Sequence, residues 1–455
     1  MAWNDEVARR DYLSADERRH LQLARLQATV RRVYSNVPFY RKALDERGIS
    51  PASITHLDDL HRLPFTTRDD LLNHYPLGLL SAPQEELVRV HASSGTKGKA
   101  KIVAYTRSDI DVWSEVCARA LVCAGVRPGD ILHNAYGYGL FTGGLGLHYG
   151  GEYLGAVVVP ASSGNTLRQI SLMRDLQAKA LCCTPSYALT LAEALAGQGL
   201  TPGDLHLKFG IFGAEPWTNE MRVQVEQGLG LVALDIYGLS EIIGPGVAME
   251  CVEGRAHAHA GGLRGLHVFE DHFLPEIVDP ATGEPLPPGQ EGELVFTPIT
   301  KEGMPLLRYR TGDLCSLLEE PCACGRTLVR MSQIKGRVDD MLIIRGVNVY
   351  PGEIERVLFG IAEFAPYYQI VVERERTLDE AAVHVEVSSQ FQQQISETLL
   401  DESMWAAHEE VDALRNRASH ALRETLGLHI EVHLHVPGTL PRSEGKALRV
   451  VDKRK

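Results

Sequence analysis

A short loop of hydroxyl and glycine residues is the first stretch of the sequence with the chemistry to bind an anion. It reads SSGTKGKAK over residues 93–101 and comes directly before the β-branched run KIVAY. Glycines let the backbone approach a phosphate closely, and successive amides with Ser and Thr hydroxyls can form an anion-binding nest. The loop lacks Walker A spacing, because only two residues separate Gly95 from Gly98. Taken alone, it is as consistent with a polar β-turn.

Two carboxylates and a lysine occupy predicted loops further along the chain. Glu241 follows a predicted strand in DIYGLSEIIGPG, where a carboxylate suits Mg²⁺ bridged to phosphates. The alternative is that Ser240 caps a helix and Glu241 lies in its first turn. Asp313, in the predicted turn of RYRTGDL, can accept both hydroxyls of a ribose or form an Asx-turn. Lys446, in LPRSEGKALRV, is a surface lysine in the simplest interpretation.

Cysteine and histidine spacing indicates a structural zinc site. A Cys₃His set is a closed, tetrahedral group of zinc ligands. His257 and His259, in RAHAHAGG, are alternative nitrogen ligands, and four unligated residues are the competing interpretation. The candidate ligands, from MEC, GLHVFED and PCACGRT, are Cys251, His267, Cys322 and Cys324.

A second histidine group lies near the C-terminal end. In HIEVHLHV, alternate apolar residues predict a strand whose other face carries His429, His433 and His435. This face is either solvated or able to bind a metal. We favour a solvated face, because no Cys or carboxylate pattern completes a site.

Composition excludes several classes of function. The chain has 455 residues, a net charge of −13 and a pI near 5.8, which argues against nucleic-acid and anionic-membrane partners. The N-terminal sequence has no apolar signal region, and no run of 18 apolar residues occurs. We therefore predict a cytoplasmic protein whose eight cysteines form no disulfide framework.

Strand and helix patterns predict the fold that must position these residues. Over residues 100–245, KIVAY, GAVVVPA, ALCCTP, FGIFGAEP and LVALDIYG alternate with helical stretches, which predicts a helix-covered, mostly parallel sheet. GELVFTPI predicts a β-rich, antiparallel subdomain. After GRVDD, the strands YQIVVERE, AAVHVEVS and HIEVHLHV surround a helical stretch over residues 391–426, which predicts a small α+β domain. Residues 14–17 fit a capping box, and Pro38 ends the helix that follows it.

The motifs, in their order, resemble those of one enzyme family. SSGTKGKA, AYGYGLFTGGLG, FGAEPWT, DIYGLSE, RYRTGDL, GRVDDMLIIRGVNVYP and PRSEGKA are similar to motifs of the phenylacetate–CoA ligase family, within the adenylate-forming superfamily. The resemblance covers nearly the whole chain. It implies an α/β fold with an adenylation domain over residues 1–335, which binds ATP and an aryl acid. A small mobile domain over residues 336–455 would carry the catalytic lysine.

The resemblance also implies a two-step reaction. A carboxylate attacks the α-phosphorus of ATP, pyrophosphate leaves, and a thiol then displaces AMP to give a thioester. Lys446 would bridge the substrate carboxylate and the α-phosphate, and Glu241 would hold Mg²⁺. Arg337 would assist near the ribose or phosphate, and Asp339 would be the hinge of the mobile domain.

Nucleotide contacts follow from the same resemblance. The glycine-rich loop would hold the β- and γ-phosphates, residues 213–216 would line the adenine pocket, and Asp313 would take the ribose hydroxyls. Lys97 stands where related ligases usually carry Thr, and it is either a phosphate contact or a solvated charge. The implied ATP- or AMP-binding residues are Ser93, Ser94, Gly95, Thr96, Lys97, Gly98, Gly213, Ala214, Glu215, Pro216, Asp235, Ile236, Tyr237, Gly238, Ser240 and Asp313.

An aromatic, glycine-rich segment is implied to line the acid pocket. Leu147 stands where the phenylacetate enzymes carry Ala, and a larger side chain would shorten the pocket. A compact benzoate, aminobenzoate or hydroxybenzoate is therefore expected as a substrate alongside phenylacetate. The implied substrate-binding residues are Tyr136, Phe141, Leu147, Ala214, Ile236 and Pro245.

The expected function is that of an AMP-forming aryl-acid–CoA ligase that uses ATP, Mg²⁺ and CoA. The alternative is a biosynthetic adenylating enzyme that passes the acyl group to a carrier-protein thiol or to an amine. Some members of the family have a Cys…His…Cys-x-Cys zinc site, which favours His267 over the other histidines and implies structural Zn²⁺. The oligomeric state stays open, with a homodimer suggested by analogy alone.

Overall fold

A computed structural model describes residues 3–93, 100–259, 264–345, 347–375, 378–397, 405, 407–442 and 447–454. The side chains of residues 259, 343, 375 and 378 are not described. Within these residues the helices are α1 (Asp5–Arg9), α2 (Ala15–Asn36), α3 (Pro38–Asp45), α4 (Arg68–Asn73), α5 (Arg107–Cys123), α6 (Thr142–Leu154), α7 (Thr166–Asp175), α8 (Pro185–Gly197), α9 (Asn219–Leu229), α10 (Val252–His259), α11 (Pro351–Phe359), α12 (Ser389–Ser396) and α13 (Glu409–Leu426). None of these described helices has the length and hydropathy of a membrane span.

The strands are short and are spread over the whole chain. In order they are β1 (Leu87–Ala92), β2 (Ile102–Thr106), β3 (Ile131–Asn134), β4 (Val157–Val159), β5 (Ala180–Cys183), β6 (Phe209–Gly213), β7 (Val232–Leu239), β8 (Gly244–Met249), β9 (Leu266–Val268), β10 (Phe273–Val278), β11 (Gly292–Pro298), β12 (Tyr309–Cys315), β13 (Leu317–Leu318), β14 (Arg330–Met331), β15 (Gly336–Arg337), β16 (Leu342–Ile344), β17 (Val347–Val349), β18 (Phe364–Glu375), β19 (Leu378–Val387), β20 (Glu431–His435) and β21 (Val450–Asp452).

The chain divides into two compact units. The first comprises residues 1–183, 203–214 and 230–334, and the second comprises residues 184–202, 215–229 and 335–455. The second unit therefore contains α8 and α9 as well as the C-terminal elements. The division into domains 1–335 and 336–455 stays a prediction.

The first unit is built on a mixed sheet with the strand order β13-β14-β9-β8-β7-β6-β5-β3-β4. β4, β3, β5, β6 and β7 are parallel, which confirms the predicted parallel sheet, and β8, β9, β14 and β13 continue it as antiparallel strands. β10, β11 and β12 form the predicted antiparallel subdomain. One expectation is wrong: KIVAY is β2, which pairs antiparallel with β1 outside the large sheet.

Local signals place the N-terminal helices. Ser14 accepts a hydrogen bond from the Glu17 amide, and the Glu17 carboxylate accepts one from the Ser14 amide, so the predicted capping box begins α2. α2 ends at Asn36, and Pro38 then occupies the first position of α3, where its missing N–H costs nothing. Pro38 thus separates two helices, as its fixed φ predicts.

The second unit has a four-stranded sheet with the order β20-β19-β18-β21. β18 and β19 are antiparallel, whereas β20 and β21 are parallel to β19 and β18 respectively. Alternate residues Val383, Val385, Val432 and Ile370 are buried, which is the pattern of a sheet with one covered face. Where the structure describes the helical stretch predicted over residues 391–426, it has two helices, α12 and α13.

A buried ion network joins the N-terminal residues to the centre of the first unit. Arg119 of α5 is fully buried and donates to Asp11 at 2.8 Å and to both carboxylate oxygens of Asp271 at 3.0 Å. Burial alone would raise the pKa of Asp271, but the Arg119 guanidinium holds it well below its ordinary value. Asp11 also accepts from Arg326 at 3.0 Å.

We predict that Arg119→Met destabilises the protein by about 3–5 kcal/mol, because two buried carboxylates each lose their fully buried guanidinium partner. Urea unfolding followed by circular dichroism measures the change. Arg9→Met is the matched control, since its pair with Glu17 is 3.5 Å long and exposed, and its loss should cost less than about 1 kcal/mol. Equal losses in the two variants would show that the buried network adds no stability of its own.

Candidate functional site

The turn between β7 and β8 presents Glu241. Residues 240–243 form this turn, so the alternative in which Ser240 caps a helix is wrong. The Ser240 hydroxyl instead lies 3.2 Å from the Thr142 hydroxyl, and its carbonyl accepts from Tyr105 at 3.2 Å. A Cβ on Gly238 would lie 2.0 Å from the carbonyl oxygen of Gly244, so the chain closes this turn only with glycine at position 238.

Cations hold the buried Glu241 carboxylate in its charged form. Its carboxylate forms an ion pair with Lys101 and accepts a hydrogen bond from the Tyr309 hydroxyl at 3.2 Å. Burial alone would raise the pKa of Glu241, but the Lys101 ammonium lowers it below its ordinary value. The site therefore offers an ionised carboxylate, the group that a hard cation such as Mg²⁺ binds.

Lys301 is a second buried lysine at this turn. Its ammonium donates to the Glu241 carbonyl oxygen at 3.1 Å and lies 4.8 Å from the centre of the Tyr105 ring. Burial lowers its pKa to about 8, against the attraction of Asp109 and Glu241. Sequence reasoning missed Lys301, because a lone lysine in TPITKEGMP carries no spacing signal.

The glycine-rich loop connects β1 and β2, which pair antiparallel as a hairpin. At its base, the Ser93 amide donates to the Lys101 carbonyl at 3.0 Å, and the Lys101 amide donates to the Ser93 hydroxyl at 3.3 Å. The loop therefore belongs to a hairpin and does not begin a helix. Five of its predicted phosphate contacts lie outside the described residues: Ser94, Gly95, Thr96, Lys97 and Gly98.

A tyrosine and an aspartate meet at the ends of neighbouring sheets. The Tyr237 hydroxyl donates to Asp313 Oδ2 at 2.6 Å, and its ring stacks on Phe296 at 6.1 Å. Asp313 does not lie in a turn, as predicted, but inside β12, where Gly312 has φ of +79° and the β11–β12 register shifts. This bulge turns the Asp313 carboxylate towards Tyr237, where a ribose hydroxyl can compete for it.

The backbone of β6 and β7 comes together at their carboxyl ends. Gly213 pairs with Ile236, and a Cβ on Gly213 would lie 2.2 Å from the Ile236 carbonyl oxygen. Ala214 follows with φ of +72°. The Asp235 amide donates to Glu250 at 2.8 Å. These predicted nucleotide contacts thus share one edge of the sheet, where open α/β sheets bind ligands.

The predicted acid-pocket residues all belong to the first unit, and two of them are in ring contact. Tyr136 is buried with its ring centre 6.3 Å from that of Phe141, and Leu147 is fully buried in α6. The Pro245 carbonyl accepts from Trp113 at 3.1 Å. A Cβ on Gly146 would lie 2.7 Å from the Pro245 ring, so glycine lets α6 approach the β7–β8 turn.

Among the residues that the structure describes, four predicted site residues belong to the second unit: Glu215, Pro216, Arg337 and Asp339. Glu215 accepts from the Ser186 amide at 2.7 Å and from the Ala447 amide at 2.9 Å. Arg337 donates to both carboxylate oxygens of Asp339, at 2.9 and 3.3 Å. An ion pair therefore links the predicted hinge aspartate to the predicted phosphate-binding arginine.

The segments around Lys446 are anchored, although Lys446 itself lies outside the described residues. The Glu386 carboxylate, fully buried, accepts from the Gly438 and Leu440 amides at 3.0 and 2.6 Å and from Arg442 at 2.8 Å on each oxygen. On the other side, Ala447 donates to Glu215. Sequence reasoning missed Glu386, because AAVHVEVS reads as an ordinary alternating strand.

The four predicted zinc ligands converge in the first unit. Cys251 Sγ lies 3.6 Å from Cys322 Sγ, and His267 Nε2 lies 3.4 Å from the sulfurs of Cys251 and Cys324. A tetrahedral zinc ion places two sulfurs about 3.8 Å apart and a sulfur and nitrogen about 3.6 Å apart. The donor types and spacings therefore fit zinc. His257 is exposed on α10, and the His259 side chain is not described.

A second group of possible metal ligands is fully paired. Glu115, Asp271 and His272 approach one another, and all three are buried. The Glu115 carboxylate pairs with Arg10 at 2.6 Å, and Asp271 pairs with Arg119. These guanidinium groups neutralise the carboxylates, so this group is part of the buried ion network.

Comparison with known proteins agrees with this geometry. Residues 24–298 match the model of AMP-binding enzymes, and residues 346–454 match that of their C-terminal domain. Phenylacetate-coenzyme A ligases from Thermus thermophilus, Pseudomonas putida and Escherichia coli are 55%, 49% and 46% identical to the chain. Each match covers 97% of this chain and 98%, 95% and 96% of the respective relative.

Solved structures agree with the fold. A 2-hydroxyisobutyryl-CoA ligase in complex with an acyl-AMP has a TM-score of 0.86 at 30% identity, over 98% of this chain and 92% of that one. The anthranilate CoA ligase AuaEII has a TM-score of 0.57 at 18% identity, over 81% and 67%, and it supports the fold alone. These matches confirm the predicted fold class and an AMP-forming acid–thiol ligase. The chain belongs to the phenylacetate–CoA ligase family of adenylate-forming enzymes.

Proposed function

We propose that this protein adenylates an aryl acid with ATP and transfers the acyl group to CoA, with release of pyrophosphate and AMP. The observation that carries the proposal is the similarity to phenylacetate-coenzyme A ligases along almost the whole chain. Glu241 follows β7, and Tyr237 of β7 donates to Asp313 of β12; this arrangement supports the proposal.

Each side chain has a physical role in the proposed reaction. Glu241 would hold Mg²⁺, because Lys101 keeps its carboxylate ionised in a buried position. Asp313 would exchange its hydrogen bond from Tyr237 for the ribose hydroxyls. Negative charge builds on the attacked phosphoryl group, and Lys446 would stabilise it there. Asp339 would act as the hinge, with Arg337 near the ribose or phosphate.

The proposed substrate is phenylacetate or a compact benzoate, aminobenzoate or hydroxybenzoate. An apolar pocket with aromatic walls suits an aryl ring. Tyr136 and Phe141 would form the walls, and Leu147, Ala214, Ile236 and Pro245 would shape its depth. Leu147 is fully buried, so its side chain takes up volume inside the fold.

A structural zinc ion is the second part of the proposal. Cys251, His267, Cys322 and Cys324 would hold it and supply no chemistry to the reaction, because a Cys₃His set leaves no open position. The metal would fasten α10 and β9 to the Cys322–Cys324 segment. A carrier protein as acceptor, a homodimer and a cytoplasmic location stay predictions.

A screen of aryl acids tests the proposed reaction. Pyrophosphate release is expected with phenylacetate and with at least one benzoate, and the kcat/KM for that benzoate should equal or exceed the kcat/KM for phenylacetate. Steady AMP release should require CoA. Leu147→Ala should shift the preference towards phenylacetate, because it deepens the pocket. If phenylacetate has a higher kcat/KM than every benzoate, the compact-acid hypothesis is wrong. If turnover proceeds without CoA when a carrier protein is present, the acceptor is the carrier protein and not CoA.

Substitution of Glu241 tests its role with Mg²⁺. Glu241→Gln should lower kcat for pyrophosphate release by about 10²–10³-fold at saturating ATP, because one charged group leaves the phosphoryl site. Glu284→Gln, at an exposed position of the same unit, is the control and should keep wild-type kcat. Full activity of Glu241→Gln over a Mg²⁺ titration would exclude the metal-holding role.

Metal analysis tests the zinc site. Protein purified without chelator should contain close to one equivalent of zinc, and Cys324→Ser should lose most of it and melt at lower temperature. His257→Gln is the control and should keep its zinc, because His257 lies outside the group. Less than about half an equivalent in the wild type would rule the site out.

A further inference from the structure

Three histidines share one face of the second unit's sheet. β19 carries His384, and the parallel strand β20 carries His433 directly opposite it and His435 two positions further. Residues two apart on a strand point to the same face, so the three side chains must be neighbours. The predicted group differs in one member: His429 precedes β20 and is exposed, and His384 takes its place.

The three rings lie in contact. The His384 ring stacks on those of His433 and His435, with centroids 4.6 and 5.2 Å apart. His384 Nδ1 lies 2.9 Å from His435 Nε2. Two imidazole nitrogens bound to one ion at about 2.1 Å and at a right angle lie about 3.0 Å apart. This contact is a hydrogen bond between the two rings, and a metal ion bound by both nitrogens would take its place.

We propose that His384, His433 and His435 form a binding site for a divalent late first-row transition metal ion, such as Ni²⁺, Cu²⁺ or Zn²⁺. Neutral imidazole is a ligand that these ions prefer. His384 and His435 supply the adjacent nitrogen pair, and a rotation of the His433 side chain supplies the third. The site is separate from the Cys₃His group, which lies in the first unit, and does not depend on the proposed function.

The surroundings favour neutral, available imidazoles. Burial lowers the pKa of His384 and of His435, and the neighbouring His433 lowers both further. A lowered pKa favours the uncharged ring, which is the form that binds metal. Glu431 lies 3.4 Å from His433 Nε2 and adds a carboxylate beside the group. Lys453, the nearby cation, is paired with Glu373 at 2.7 Å.

Titration of the full-length, tag-free, zinc-loaded protein with Ni²⁺ tests this site. Calorimetry should detect one equivalent of Ni²⁺ bound beyond the zinc. His384→Gln and His435→Gln should each weaken this binding by about tenfold or more, since each removes one of the paired nitrogens. His433→Gln should weaken it as well, and Ni²⁺ should raise the melting temperature of the wild type but not of these variants.

Two matched variants complete the design. His429→Gln and His420→Gln remove exposed histidines of the same unit and should keep wild-type Ni²⁺ affinity. Circular dichroism shows whether each variant is folded, and His433→Gln replaces any that is not. The proposal is overturned if the wild type binds no additional Ni²⁺, or if the His384 and His435 variants bind it as tightly as the controls do.

Discussion

A close backbone contact at the carboxyl end of β7 determines where the first unit can place charged groups. The Gly238 Cα lies so near the Gly244 carbonyl that a Cβ would overlap it, at 2.0 Å. Gly213, one strand away, is similarly close to the Ile236 carbonyl. Glycine at both positions lets β6, β7 and the returning β8 converge. The turn that follows β7 then presents Glu241 at the same end of the sheet as Tyr237, whose hydroxyl donates to Asp313 of β12 in the other sheet.

That convergence buries a carboxylate, and burial disfavours its charged form. The fold compensates with two lysines from distant parts of the chain. Lys101 pairs with the Glu241 carboxylate, and Lys301 bonds its carbonyl from within the core. Lys101 is the last residue of the SSGTKGKAK segment, so a substitution of Lys101 is expected to change the charge balance at the Glu241 carboxylate.

Local patterns were sufficient for much of the fold and of the candidate site. Runs of β-branched residues that alternate with helical stretches indicated the parallel strands. The Cys and His residues, with the family resemblance favouring His267, indicated a group that the structure brings within contact. Sequence patterns were insufficient where pairing between strands determines the local structure. Gly312 reads as a turn, yet a bulge keeps Asp313 inside β12. At Ser240 the two alternatives, a turn and a helix cap, were equally open, and the turn is right because β8 pairs back on β7 before a helix can form.

Residues that act through buried charge were the hardest to predict. Lys301 and Glu386 have no spacing signature, because their partners come from elsewhere in the chain. His384 likewise joins the histidines of β20 only through strand pairing, since 49 residues separate it from His433 in sequence. A sequence pattern reports neighbours along one element, whereas these contacts depend on which elements pair.

Proximity of ligand atoms alone does not make a metal site. The charges around each group determine whether a metal ion can bind there. Glu115, Asp271 and His272 are as close together as the Cys₃His group, yet Arg119 and Arg10 already neutralise their carboxylates. A metal ion there would add positive charge beside two guanidinium groups, at a large electrostatic cost. Beside the imidazoles of β19 and β20, the nearby cation Lys453 is paired with Glu373, and Glu431 adds a carboxylate, so an ion bound there would meet less positive charge. The difference in charge compensation is therefore the physical reason to place metals at the thiolate and imidazole groups and not at the carboxylate group.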